Sequence, residues 1–250
     1  MKLADVIRAV FYPLTESSVL VPMVVFWLLM TLASMAGMLG LWLAIVIVPA
    51  VFRYQVMLLE ARSREMTPEP PGIEFFSWTS NLWSLFPAVM AVCLVLVGYE
   101  IYRYAGSAAV LLFVAFAGSA YPAMLGVLAI THSPLQSINP VAIARFIGGC
   151  GGGYWYAPTY LLFAAFVSLY VSALGNLLAN LIEMFLLFSL HSLIGSVIQP
   201  VGIVDDIDIP IPTGKTAEVL DAELENKRTQ ALNHAYGLVS RYNLAGGFSH

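Results

Sequence analysis

Few side chains in this sequence could carry chemistry, and the most conspicuous is Glu183. It sits inside NLLANLIEMFLLFSLHSLIGSVIQP, residues 176–200, an apolar stretch of membrane-spanning length. A carboxylate held in mid-bilayer is costly, so an acid in such a place marks a pathway, a ligand site or a hydrogen-bonded seam between helices. On a helix with 100° per residue, Asn176, Asn180, Glu183, Leu187 and His191 fall within about 80° of one another and form one polar stripe. Glu183 and His191 are eight residues apart, ~12 Å along the axis, so a proton passing between them needs a third group. The two asparagines weigh towards a packing seam, bonded to neighbours such as Tyr121, Ser168 or Tyr170, over conduction.

The other reactive residue types are scattered. His132, His191, His234 and His250 lie in separate segments without HxxxH, ExxH or HxH spacing, which predicts no metal site. Cys93 and Cys150 form no CxxC pair and read as free thiols. The glycine run from Gly148 to Gly153 lacks the Lys-Ser/Thr pair of a phosphate-binding loop and reads as a hinge. Asp205, Asp206 and Asp208 resemble the start of a calcium loop without its glycine and distal glutamate. No G-x-S-x-G elbow occurs. These patterns predict that the chain is not an enzyme and uses no cofactor.

The elements that must position these residues follow from composition. Hydrophobic residues make up 60% and charged residues 10% of the 250, with a mean hydropathy of +0.83, which a bilayer accommodates and a single soluble core does not. Net charge is −4 with no long basic run, so nucleic acid is not an expected partner. The fold class is therefore all-α, a polytopic membrane bundle of about six spans. Residues 1–17 read as a short amphipathic interfacial helix stopped near Pro13, and the apolar run after it as an uncleaved anchor. Ser17 to Phe52 carries no charge. One helix of that length would measure ~54 Å, too long for a ~30 Å core, so two spans with a turn at Gly37–Gly40 are expected. Residues 53–75 are polar, and Trp78 and Trp83 belong at headgroup depth. A third span runs from about Pro87 to Tyr102. The fourth runs from Ser107 to Ile130, with a kink at Tyr121-Pro122. Asn139-Pro140 caps a second surface helix, Pro158 to Leu174 is the fifth span, and the stretch carrying Glu183 is the sixth.

With the N-terminus inside, Lys2, Arg8, Arg53, Arg62, Arg64, Arg145, Lys215, Lys227, Arg228 and Arg241 fall on the cytoplasmic side and only Arg103 outside. That bias supports an even span count with both termini cytoplasmic, as expected for a bacterial inner membrane. The odd-numbered spans each follow an interfacial segment and start near a proline (Pro22, Pro87, Pro158), which suggests three copies of one surface-helix-plus-hairpin unit.

Residues 201–250 form a second, cytoplasmic region. An extended VGIVDDIDIPIP linker leads to a helix from Lys215. Its last segment, with Tyr236, Gly237, Tyr242, Asn243 and Gly247, resembles half of a tetratricopeptide repeat, with Tyr242 where glycine is usual. That resemblance implies a helix that docks on a partner or continues beyond residue 250. The proline starts and the Arg8 and Arg145 surface helices together resemble the DUF4013 and, more distantly, Yip1-like families of bacterial integral membrane proteins. The resemblance implies the bundle and no catalytic residues. The expected function is that of an accessory or scaffold membrane protein, embedded in the lipid bilayer, that recruits a protein partner through bundle and tail. It also leaves room for self-association into a homo-oligomer. The alternative is a small permease or channel with Glu183 and His191 along its path.

Overall fold

The computed structural model describes residues 2–68, 71 and 82–199, all within the first of the two units into which the chain divides, Met1–Ile207. The tail residues named above lie outside the described residues. Every element among the described residues is helical: α1 (Leu3–Thr15), α2 (Ser17–Met35), α3 (Met38–Ser63), α4 (Phe86–Thr131), α5 (Pro134–Ser137), α6 (Pro140–Cys150), α7 (Tyr156–Val171) and α8 (Asn176–Ile198), with short 3-10 turns at Leu82–Leu85, Gly151–Trp155 and Ser172–Leu174. Five helical stretches are long and apolar enough to cross a membrane: Ser17–Met35, Met38–Ser63, Trp83–Thr131, Pro140–Val171 and Asn176–Ile198. Length and hydropathy thus make this an all-α membrane protein.

Two of these stretches are not single rods. Gly106 breaks α4 with φ 80° and ψ −177°, a conformation reserved for glycine. The limbs 86–105 and 107–131 then run back along each other. Tyr121 Oη donates to the Pro87 carbonyl at 3.3 Å, and a Cβ built on Gly98 would lie 3.4 Å from the Phe113 ring. In a straight helix residues 87 and 121 would be ~51 Å apart. The glycine run is likewise not a loop. Gly148 to Cys150 complete α6, and Gly151, at φ 56°, turns the chain through a 3-10 segment into α7. Asn139 caps α6 as expected, its Oδ1 accepting from Val141 N at 3.0 Å.

The turns at Gly37, Gly106 and Gly175 all have positive φ and define one end of the bundle, called distal here. The basal end carries α1, the end of α3 and the end of α8. α8 is the hub: 72% of its most apolar window is buried, against 17% to 39% for the other four stretches. It packs on α1, α2, α3 and α7. Phe188 stacks on Tyr54 of α3, while Met184 joins Val19, Met23 and Phe26 of α2 and Ile47, Ala50 and Val51 of α3 in one core.

Prolines shape the way these helices meet. α1 stops near Pro13 as expected, ending at Thr15 with Pro13 buried in its last turn. A proline at position i leaves the carbonyl of residue i−4 without its helical donor. For Pro13 that carbonyl belongs to Ala9, and Ser192 Oγ of α8 donates to it at 2.8 Å. For Pro22 of α2 it belongs to Ser18, and Tyr54 Oη of α3 donates to it at 2.8 Å. Ser189 Oγ adds a bond to the Val10 carbonyl at 2.7 Å. Backbone dihedrals at Pro122 stay helical, and Gly106 alone departs from them in α4.

Candidate functional site

One set of polar residues of the described chain lies along the seam between α3 and α8, which run parallel. A Cβ on Gly195 would come within 2.5 Å of Arg62 Cβ and 2.7 Å of the Leu59 carbonyl oxygen, so only glycine lets the two backbones approach this closely. At the basal rim Gln199 Nε2 donates to Glu65 Oε1. One turn in, Arg62 Nη2 donates to Ser196 Oγ at 2.8 Å, and the guanidinium lies 4.1 Å over the Tyr12 ring of α1. A cation over an aromatic face is attracted by the ring quadrupole. Burial raises the Tyr12 phenol above its ordinary value, with the Arg62 charge pulling the other way. Beside this seam His132 Nε2 approaches Glu60 Oε1 to 2.9 Å, an ion pair when the imidazole is protonated, while Trp83 stacks on the His132 ring at 4.4 Å. That carboxylate oxygen makes no well-directed hydrogen bond, so the charge supplies the attraction.

Deeper in the seam lie two polar side chains sealed from solvent, Gln55 at 0% and His191 at 1% exposure. His191 Nδ1 lies 2.8 Å from the Leu187 carbonyl oxygen. A carbonyl only accepts, so Nδ1 carries the hydrogen. His191 Nε2 and both amide atoms of Gln55 have no hydrogen-bond partner.

The stripe expected on α8 is split between environments. Asn176 and Glu183 are exposed on the distal half of the helix, and among the described residues neither makes a hydrogen bond or ion pair. Asn180 is half-buried against α2, its Nδ2 3.3 Å from Thr31 Oγ1 and 3.5 Å from Ser34 Oγ. Next to it Trp27 Nε1 donates to the Leu177 carbonyl at 2.9 Å. His191 is in the basal core. The partners of the asparagine are therefore on α2, not at Tyr121, Ser168 or Tyr170. Glu183 and His191 do not line a common surface: they stand at the two edges of the stripe, about 80° apart on the wheel, and one faces outward while the other is buried. Gln55, Arg62, Glu60 and Tyr12 escaped the sequence reading. The available signal was weak: Gln55 stands two residues after Arg53, at the start of the stretch read as polar, with apolar Val56 to Leu59 following it.

Cys93 is exposed and Cys150 buried, and both are free thiols. No group of three or more His, Cys, Asp or Glu residues stands close enough to hold a metal ion among the described residues. An apolar cavity of about 480 Å³ lies along α2 beside Ser17, Ser18 and Pro71, and one of about 370 Å³ lies between the two limbs of α4 and α7. No protein-family model matches the chain, and no curated protein or solved structure is similar to it.

Proposed function

We propose that this chain is an accessory or scaffold protein of the bacterial inner membrane. It crosses six times, with the α4 hairpin counted as two crossings and both termini cytoplasmic, on the plan of the bacterial families it resembles. The observation that carries this reading is Glu183. Its carboxylate lies well inside α8, about a third of the way along from the distal end, is exposed on the bundle surface, and meets no donor from the described residues. Lipid chains cannot satisfy it, and an unmatched acid at that depth disfavours a free-standing bundle. A helix of a partner membrane protein, offering a hydroxyl, amide or cationic donor at the depth of Glu183, satisfies it. Polar pairs of this kind are a recurrent adhesive between spanning helices. The tail of residues 201–250 supplies a second attachment on the cytoplasmic side.

A photo-reactive side chain placed at position 183, with one at Val25 on an exposed face of α2 as control, tests this in intact membranes. A discrete protein adduct from position 183 and none from position 25 is the expected result. Adducts only to lipid at both positions would remove the scaffold reading. Removal of residues 201–250 should weaken the same adduct, and a second copy of the chain as the captured partner would make the assembly a homo-oligomer.

A further inference from the structure

The register of the α3–α8 seam brings together two groups that the scaffold reading leaves unused. Leu59 touches the backbone at Gly195, and Tyr54 stacks on Phe188. One turn before Leu59 stands Gln55, and one turn before Gly195 stands His191, so in parallel helices the two sit at the same level of the interface. Both are sealed from solvent. Three side-chain atoms there are unmatched: the Gln55 amide nitrogen and oxygen and His191 Nε2. The bond from Nδ1–H to the Leu187 carbonyl leaves Nε2 of the neutral ring as a pure acceptor, which requires a donor. Towards the basal rim the close Leu59–Gly195 contact covers the pair, and beyond it stand the polar contacts Arg62–Ser196 and Gln199–Glu65. Towards the distal end the seam is closed by Tyr54, Phe188, Val51 and Met184, all buried.

We propose that Gln55 and His191 form a binding site for a single water molecule, enclosed within the α3–α8 seam. The water donates one hydrogen to His191 Nε2, donates the other to Gln55 Oε1 or accepts from Gln55 Nε2, and so satisfies atoms that neither helix satisfies alone. Buried waters occur where two to four such polar partners converge.

Water-edited solid-state NMR of the full-length protein in lipid, with nitrogen-15 in the histidine rings, reads this directly. Assignment uses a His191→Phe sample. The expected result is magnetisation transfer from water to His191 Nε2 in the native chain. In Gln55→Met, which keeps the side-chain length, the transfer should fall to the level of buried backbone amides while the rest of the spectrum holds. No transfer to His191 Nε2 in the native chain would overturn the proposal whatever the variant does. Undiminished transfer in Gln55→Met would overturn the assigned partner and with it the site.

Discussion

At the scale of single residues, the seam offers sharp tests. Gly195 admits no side chain, because a Cβ would lie 2.7 Å from a backbone oxygen that cannot swing aside. Gly195→Ala must therefore separate α3 from α8, and a loss of about 1–3 kcal/mol is expected from the overpacking. Denaturant titration in mild detergent, followed by tryptophan fluorescence, measures it. Tyr12 gives a pH test with a fixed sign. Burial raises the phenol in the folded chain, so the folded state holds that proton more tightly than the unfolded one. Its contribution is complete below the ordinary phenol value of 10.0 and is lost as the pH climbs through the raised one. Tyr12→Phe should thus lose less stability than the native chain between pH 9 and pH 11, while the two follow parallel curves below that window.

At the scale of helices, the proline contacts can be taken apart by pairs. Ser192→Ala leaves the Ala9 carbonyl buried without a donor, which costs on the order of 1–3 kcal/mol. Pro13→Ala restores a backbone N–H four residues after Ala9, so the double variant Pro13→Ala/Ser192→Ala should recover most of that loss. The thermal midpoints of the four proteins in this cycle decide the matter, and no recovery would mean that Ser192 acts through packing alone. Gly106 is a second element-level test. Nothing lies within 4 Å of a Cβ there, so Gly106→Ala meets only the backbone penalty of φ 80°, roughly 1–2 kcal/mol.

These elements show where sequence reasoning reaches its limit. The turn at Gly37, the cap at Asn139 and the start of α8 at Asn176 were all legible, because local steric and hydrogen-bonding rules place them. The stop of α1 near Pro13 was legible too, but not the donor to its Ala9 carbonyl, because that comes from Ser192, far along the chain. The polar stripe misled for a related reason. Helical spacing gives the angle of Glu183 and His191, and only the neighbours of α8 decide which angle faces a core. Gln55 became visible only when α3 was set against α8.

At the scale of the whole molecule, burial is uneven. The basal half of α8 is packed on all sides, while its distal half exposes Leu177, Leu178 and Glu183, and distal apolar residues such as Trp42, Leu112, Phe116 and Leu169 are exposed too. That division puts the most fully buried part of α8 towards the basal end of the bundle and its exposed part towards the distal end. The proposed threading is checked with a chain in which Cys93 and Cys150 are replaced by serine. A cysteine at position 103 should react with an impermeant thiol reagent from outside intact cells, and one at position 64 only after permeabilisation. The reverse pattern would invert the topology.

The position of the hub at the end of the spanning region has a consequence for biogenesis. Helices are made in order, yet the Ala9 carbonyl of α1, which Pro13 deprives of its helical donor, finds one at Ser192 of α8, beside the Ser189–Val10 contact. Until the ribosome has passed those serines, the first helices wait at the membrane with their docking surface uncovered. A nascent chain arrested at Gly175 should keep α1 open to added protease, and one arrested after residue 200 has been released into the bilayer should protect it. Closure of the described bundle thus waits for α8.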